Sequence, residues 1–103
     1  MSDDILTTIR ETVGSNRVVL FMKGTKNFPQ DGFSARAIET LKRCGTDFKD
    51  VNVLTNPALS QGIKEFSNWP TLPQVYIDGK FIGGVDILTE MFDSGELQRL
   101  LDS

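Results

Sequence analysis

The sequence contains no histidine. Histidine is the commonest general acid–base group and the commonest metal ligand. Its absence excludes Ser-His-Asp and Cys-His machinery. A single cysteine, Cys44, rules out a disulfide within the chain, which fits a reducing compartment. Basic charge is also scarce. Eleven Lys and Arg stand against 14 Asp and Glu, for a net charge of −3, which disfavours nucleic acid as a partner. No stretch approaches the roughly 20 apolar residues of a membrane span, so no membrane partner is expected. The acidic start, Met1-Ser2-Asp3-Asp4, does not read as a secretory or mitochondrial targeting segment. A cytoplasmic location follows, or an organelle stroma or matrix if such a segment has been removed.

What is present is ordinary globular composition. With 39% hydrophobic and 24% charged residues over 103 positions, the chain reads as a single domain across 1–103. A domain of this size buries roughly two thirds of its unfolded surface, enough for one core without staples.

The most informative stretch runs from Val18 to Ser34. Val18-Val19-Leu20-Phe21-Met22 is short, continuous and β-branched at its start, which predicts a buried strand over 17–23. A helix is predicted over 32–43, with Phe33, Ala37, Ile38 and Leu41 inward and Cys44-Gly45 closing it. The loop between them lies at the carboxyl end of the strand, where α/β sheets usually place ligand sites. The first N–H groups of the helix are unpartnered and partly positive. Lys23 adds a full positive charge, and Asp31 stands where an anion is favoured. Asp31 also reads simply as a helix N-cap, with Ser34 at the spacing of a reciprocal partner. Lys23-Gly24-Thr25-Lys26 lacks the spacing of a phosphate loop.

The remaining elements follow from pattern. A first helix is capped by Asp3 or Asp4 and carries Ile5, Leu6, Ile9 and Val13 on one face. A second strand spans 47–54. Asn56 and Pro57 begin a helix over 57–67 that buries Leu59, Ile63 and Phe66. Trp69-Pro70-Thr71-Leu72-Pro73 breaks the chain. Strands at 74–77 and 80–82 flank a type I′ turn at Asp78-Gly79. Asp86 caps a helix carrying Leu88, Met91 and Phe92, and a last short helix carries Leu97, Leu100 and Leu101. The fold class is α/β: a four-stranded mixed sheet flanked by helices, its first two strands parallel.

Three ordered blocks resemble the monothiol glutaredoxins, which have a thioredoxin fold. The first is Phe21-Met22-Lys23-Gly24-Thr25, then Pro29-Gln30, then Gly32-Phe33-Ser34. The second runs from Gln61 to Gln74 and contains Trp69-Pro70-Thr71-Leu72-Pro73. The third is Gly79, then Phe81-Ile82-Gly83-Gly84, then Asp86-Ile87.

The resemblance implies glutathione and a [2Fe–2S] cluster as cofactors, with roles in iron–sulfur assembly and thiol redox homeostasis. It implies iron–sulfur assembly or BolA-type proteins as partners, and a dimer when a cluster is loaded but a monomer otherwise. It also implies a glutathione groove. Lys23 pairs with the glycyl carboxylate, and the Leu72 backbone, set by a cis Pro73, pairs with the cysteinyl part. Gly84, Val85 and Asp86 take the γ-glutamyl end, while Thr71 and Phe33 line the groove. Where the family has its cysteine, both redox nucleophile and cluster ligand, this chain has Asp31. A carboxylate keeps the negative charge of a thiolate but cannot run thiol–disulfide exchange. It is also a hard oxygen where such clusters take thiolates. A glutathione- or protein-binding module without chemistry is the alternative reading.

Two further positions depart from the family. Ser60 stands where an arginine commonly helps hold the glycyl carboxylate, and Val85 where many members carry a second cysteine. Because Ser60 supplies no guanidinium, glutathione should bind more weakly than is usual for the family. Titration calorimetry on this chain and on Ser60→Arg tests this. Tighter binding by the variant is expected, and equal affinities would refute it.

Overall fold

The computed structural model describes residues 3–103. Its sheet has the order β2-β1-β3-β4, with strands β1 (Val18–Met22), β2 (Lys49–Asn52), β3 (Gln74–Ile77) and β4 (Lys80–Gly83). The β1–β2 pair is parallel and the other two pairs are antiparallel. The helices are α1 (Asp3–Ser15), α2 (Gly32–Arg43), α3 (Pro57–Ser67), α4 (Val85–Ser94) and α5 (Glu96–Asp102).

The central strand β1 is buried at every position, because helices cover both faces of the sheet. Its side chains alternate between two cores. Val18, Leu20 and Met22 meet Ala37, Ile38 and Leu41 of α2, Leu88 of α4, and Leu97 and Leu101 of α5. Val19 and Phe21 meet Ile9 and Val13 of α1 and Ile63 of α3, with Tyr76 of β3 between them. The sheet order puts the carboxyl end of β1 beside the start of β3, so the loops at 23–31 and 69–73 share one rim.

Several expectations hold. Asn56 caps α3 by accepting from the Ala58 N–H at 3.0 Å, and Pro57 takes the first helical position. Asp78 and Gly79 have φ of 53° and 80°, as a type I′ turn requires. Others need correction. Phe33 is 57% exposed; the inward stripe of α2 is Ser34, Ala37, Ile38 and Leu41 instead. The second strand is shorter than 47–54. It stops at Asn52, whose side chain accepts from the Leu54 N–H and starts a 3-10 turn over Val53–Thr55. Gly84, not Asp86, is the N-cap of α4; Asp86 lies within its first turn. Of the two caps considered for α1, the Asp3 side chain lies outside those described. Asp4 is inside the helix, where its carbonyl accepts from Thr8 Oγ1.

Cys44 closes α2, as expected, and sits 8% exposed in the core shared with α4 and α5. Burial pushes its thiol up, and the Asp102 carboxylate pushes it the same way. A raised thiol stays protonated at neutral pH, and the thiol is a poor nucleophile. Cys44 should therefore resist an aromatic disulfide reagent at pH 7–8 until the protein is unfolded in denaturant. Stoichiometric reaction of the native protein within minutes would contradict this placement.

Candidate functional site

The turn out of β1 is held from several sides. Gly24 takes φ of 94°, and a Cβ there would run into the Phe28 carbonyl, so only glycine suits the turn. The Gly24 N–H donates to Asn52 Oδ1 at 3.0 Å and the Lys26 N–H to Asp50 Oδ2 at 2.7 Å, fastening the loop to β2. Thr25 and Phe28 exchange backbone hydrogen bonds, and the Gln30 N–H returns to the Lys23 carbonyl at 2.9 Å. Lys26 Nζ donates to the Phe48 carbonyl at 2.7 Å and lies 4.3 Å above the Phe48 ring.

The loop delivers Asp31 to the start of α2. Its Oδ1 accepts from the Ser34 N–H at 2.7 Å. Such a cap typically stabilises a helix by about 1 kcal/mol. The expected reciprocal bond from Ser34 is not made. Ser34 Oγ instead accepts from the Lys23 N–H at 3.1 Å, which ties the end of β1 to the first turn of α2. Lys23 Nζ stands 3.9 Å from Asp31 Oδ2. With the lysine side chain 45% exposed, that pair contributes at most about 1 kcal/mol.

These residues form one side of a groove of about 570 Å³. Lys23, Asp31, Gly32 and Phe33 face the strap of Trp69, Pro70, Thr71, Leu72 and Pro73, and Gly84, Val85, Asp86 and Ile87 complete the lining. The Leu72–Pro73 peptide is cis. The walls approach closely at Gly84, where an added Cβ would lie 3.4 Å from the Trp69 indole nitrogen. Trp69 packs its ring on Phe81 with centroids 5.9 Å apart.

Nine of the ten residues singled out in the sequence therefore share one groove. Ser60 does not line it; it is half-buried on α3, one turn before Lys64. Lys64 does line the groove and was missed, although the i, i+4 relation to Ser60 on one helix face offered a signal. The groove thus carries two lysines and two carboxylates. That set suits a small zwitterionic ligand bearing both carboxylate and ammonium groups. The only thiol lies beyond the opposite end of α2, roughly 20 Å away at 1.5 Å per residue.

Comparison with known proteins identifies the family. The glutaredoxin family profile matches residues 18–82. Monothiol glutaredoxin-S7, chloroplastic, of Oryza sativa subsp. japonica is 50% identical over 99% of this chain; the chain spans 61% of that relative's length. The solution structure of reduced poplar apo GrxS14 is 53% identical, with a TM-score of 0.85 over 95% of this chain and 90% of that one. A crystal structure of a buckwheat glutaredoxin–glutathione complex superposes with a TM-score of 0.86 over 99% of this chain and 94% of that one. At 23% identity it speaks for the thioredoxin fold alone. With three strands of its central sheet inside the matched segment and half its residues shared with a monothiol member, the chain belongs to the glutaredoxin family.

Proposed function

We propose that this chain binds glutathione in the groove and that Asp31 has switched off the thiol chemistry of its family. The observation that carries the reading is the place of Asp31. It caps α2 beside Lys23, lines the groove, and stands where the family's cysteine is expected. Helix N-terminus and lysine would stabilise a thiolate; here they stabilise a carboxylate. Thiol–disulfide exchange needs an attacking sulfur, and the groove supplies none.

Glutathione, the ligand of the buckwheat complex, matches the groove's charges. Lys23 and Lys64 are assigned to its glycyl carboxylate. The Leu72 backbone, ahead of Pro73, takes the cysteinyl part as an added strand would. Gly84, Val85 and Asp86 take the γ-glutamyl end, where the first N–H groups of α4 favour a carboxylate and Asp86 an ammonium. Thr71 and Phe33 form the walls. Ser60 contributes no charge.

The residues present do not fit a [2Fe–2S] cluster. Such clusters take thiolates, the groove offers a carboxylate, and Cys44 is buried elsewhere. We therefore read cluster carriage and thiol redox homeostasis as the lineage's function and not this chain's. Partnership with iron–sulfur assembly or BolA-type proteins and dimerisation on cluster loading belong to that lineage too. On this reading the chain is one glutaredoxin domain over 1–103 and a monomer. It works in a reducing compartment, a cytoplasm or an organelle stroma. Exposure of Phe33 at 57% in the groove's lining, and of Phe28 at 72% in the loop that precedes it, favours a second reading, a module that also holds a protein partner.

Calorimetric titration with glutathione tests the proposal. Lys23→Ala should bind about tenfold more weakly, as expected for losing one charge-assisted hydrogen bond. Equal affinity in the two chains, or no binding by either, would overturn it.

A further inference from the structure

The strap that forms one wall of the groove has little of its own to hold it. Trp69 is 38% exposed, Pro70 and Thr71 are exposed, and neither proline has an N–H to donate. Two of its backbone carbonyls are fastened from within by one side chain. Gln74, the first residue of β3, has 0% exposure. Its Nε2 donates to the Trp69 carbonyl at 3.1 Å and to the Thr71 carbonyl at 3.2 Å, using both amide hydrogens. Its Oε1 accepts from the Tyr76 hydroxyl at 3.2 Å. The Trp69 N–H donates to Ser67 Oγ and to the Lys64 carbonyl, each at 3.1 Å, so both backbone groups of Trp69 are held.

The arrangement is set in an apolar surround. Phe21, Phe66 and Phe81 pack around the Tyr76 ring at centroid distances of 5.5, 6.0 and 5.5 Å. Burial pushes the Tyr76 phenol up to about 12, against a smaller lowering from its hydrogen bond with Ser67. The hydroxyl thus remains a donor across the ordinary pH range. That donor fixes the Gln74 amide with its oxygen toward Tyr76 and its nitrogen toward the strap, because the reverse orientation would set an oxygen against two carbonyls. No buried side-chain nitrogen or oxygen lacks a partner among the described residues. The network is therefore complete, and a complete buried network specifies a single geometry.

We infer that Gln74 is the positioning residue of the groove: with Tyr76 behind it, it sets the height of the Trp69–Leu72 strap over Asp31 and Lys23. It touches no ligand and acts only through the backbone it holds. The glutathione reading enters this inference only through the affinity measured in its test.

Gln74→Met keeps the length and bulk of the side chain and removes its polar atoms. Leu101→Ala, in α5 and away from the groove, serves as a control that also destabilises the fold. Each variant is read by its melting temperature, by glutathione affinity, and by the emission of Trp69, the only tryptophan in the chain. In Gln74→Met, Trp69 emission should shift to the red and glutathione should bind roughly tenfold more weakly, within the scale of the two strap hydrogen bonds lost. Leu101→Ala should melt earlier with both readouts unchanged. If Gln74→Met does not fold, Tyr76→Phe removes only the hydroxyl; it should give the same red shift and about a threefold loss of affinity. A folded Gln74→Met with native emission and affinity would overturn the inference, as would native values in Tyr76→Phe or a Leu101→Ala that moves both readouts equally. Failure of the unaltered protein to bind glutathione would overturn the glutathione reading alone. Trp69 emission would then decide the role of Gln74.

Discussion

One hydrogen bond, from the Ser34 N–H to Asp31 Oδ1 at 2.7 Å, joins the fold of this chain to its chemistry. It is a helix cap, and any of several small polar residues could have made it. What gives it consequence is the surrounding geometry. The same serine's hydroxyl receives the Lys23 N–H, so β1 and α2 meet at this point and carry lysine and carboxylate to one rim. A site that would stabilise a sulfur anion stabilises an oxygen anion on the same physical grounds. On this reading the fold has no need of the sulfur, because the cap needs only a small polar acceptor.

The groove is built from three separate returns of the chain to the same end of the sheet. The first is anchored to β2 through Asn52 and Asp50, the second from within through Gln74, and the third by close packing at Gly84. Each anchor is polar or steric and local, whereas the two cores supply the stability. This separation lets the site vary while the fold persists. The chain keeps glutaredoxin architecture at about 50% identity to a monothiol relative.

Much of this was legible in the sequence because the signals were local. β1 announced itself by an unbroken apolar run, α3 by Asn56-Pro57, and the hairpin by Asp78-Gly79. The groove positions came from the ordered blocks and not from any single residue, since Lys23, Thr71 or Gly84 alone would pass as surface or turn. Errors arose where a long-range contact overrode a local pattern. Phe33 fits an apolar stripe better than the polar Ser34, yet Ser34 turns inward to meet the Lys23 N–H. The β2 strand stops early because Asn52 spends its side chain on Gly24 and Leu54. For Lys64 the spacing from Ser60 was a hint only; the packing of α3 decides which of its faces meets the strap. Gln74 looked like an ordinary strand residue, since its role depends on carbonyls that only the folded strap brings to it.

Whether Asp31 alone silences the site is best measured by anaerobic reconstitution with iron, sulfide and glutathione, followed by visible absorption. This chain and Asp31→Cys would be treated side by side. Charge-transfer absorption and dimerisation in the variant, with a colourless monomer for the unaltered chain, is the expected result. Colour in both would show that oxygen or another residue ligates iron. Colour in neither would show that replacing Asp31 is not enough to restore the site. Either of these results contradicts the claim that Asp31 alone silences the site.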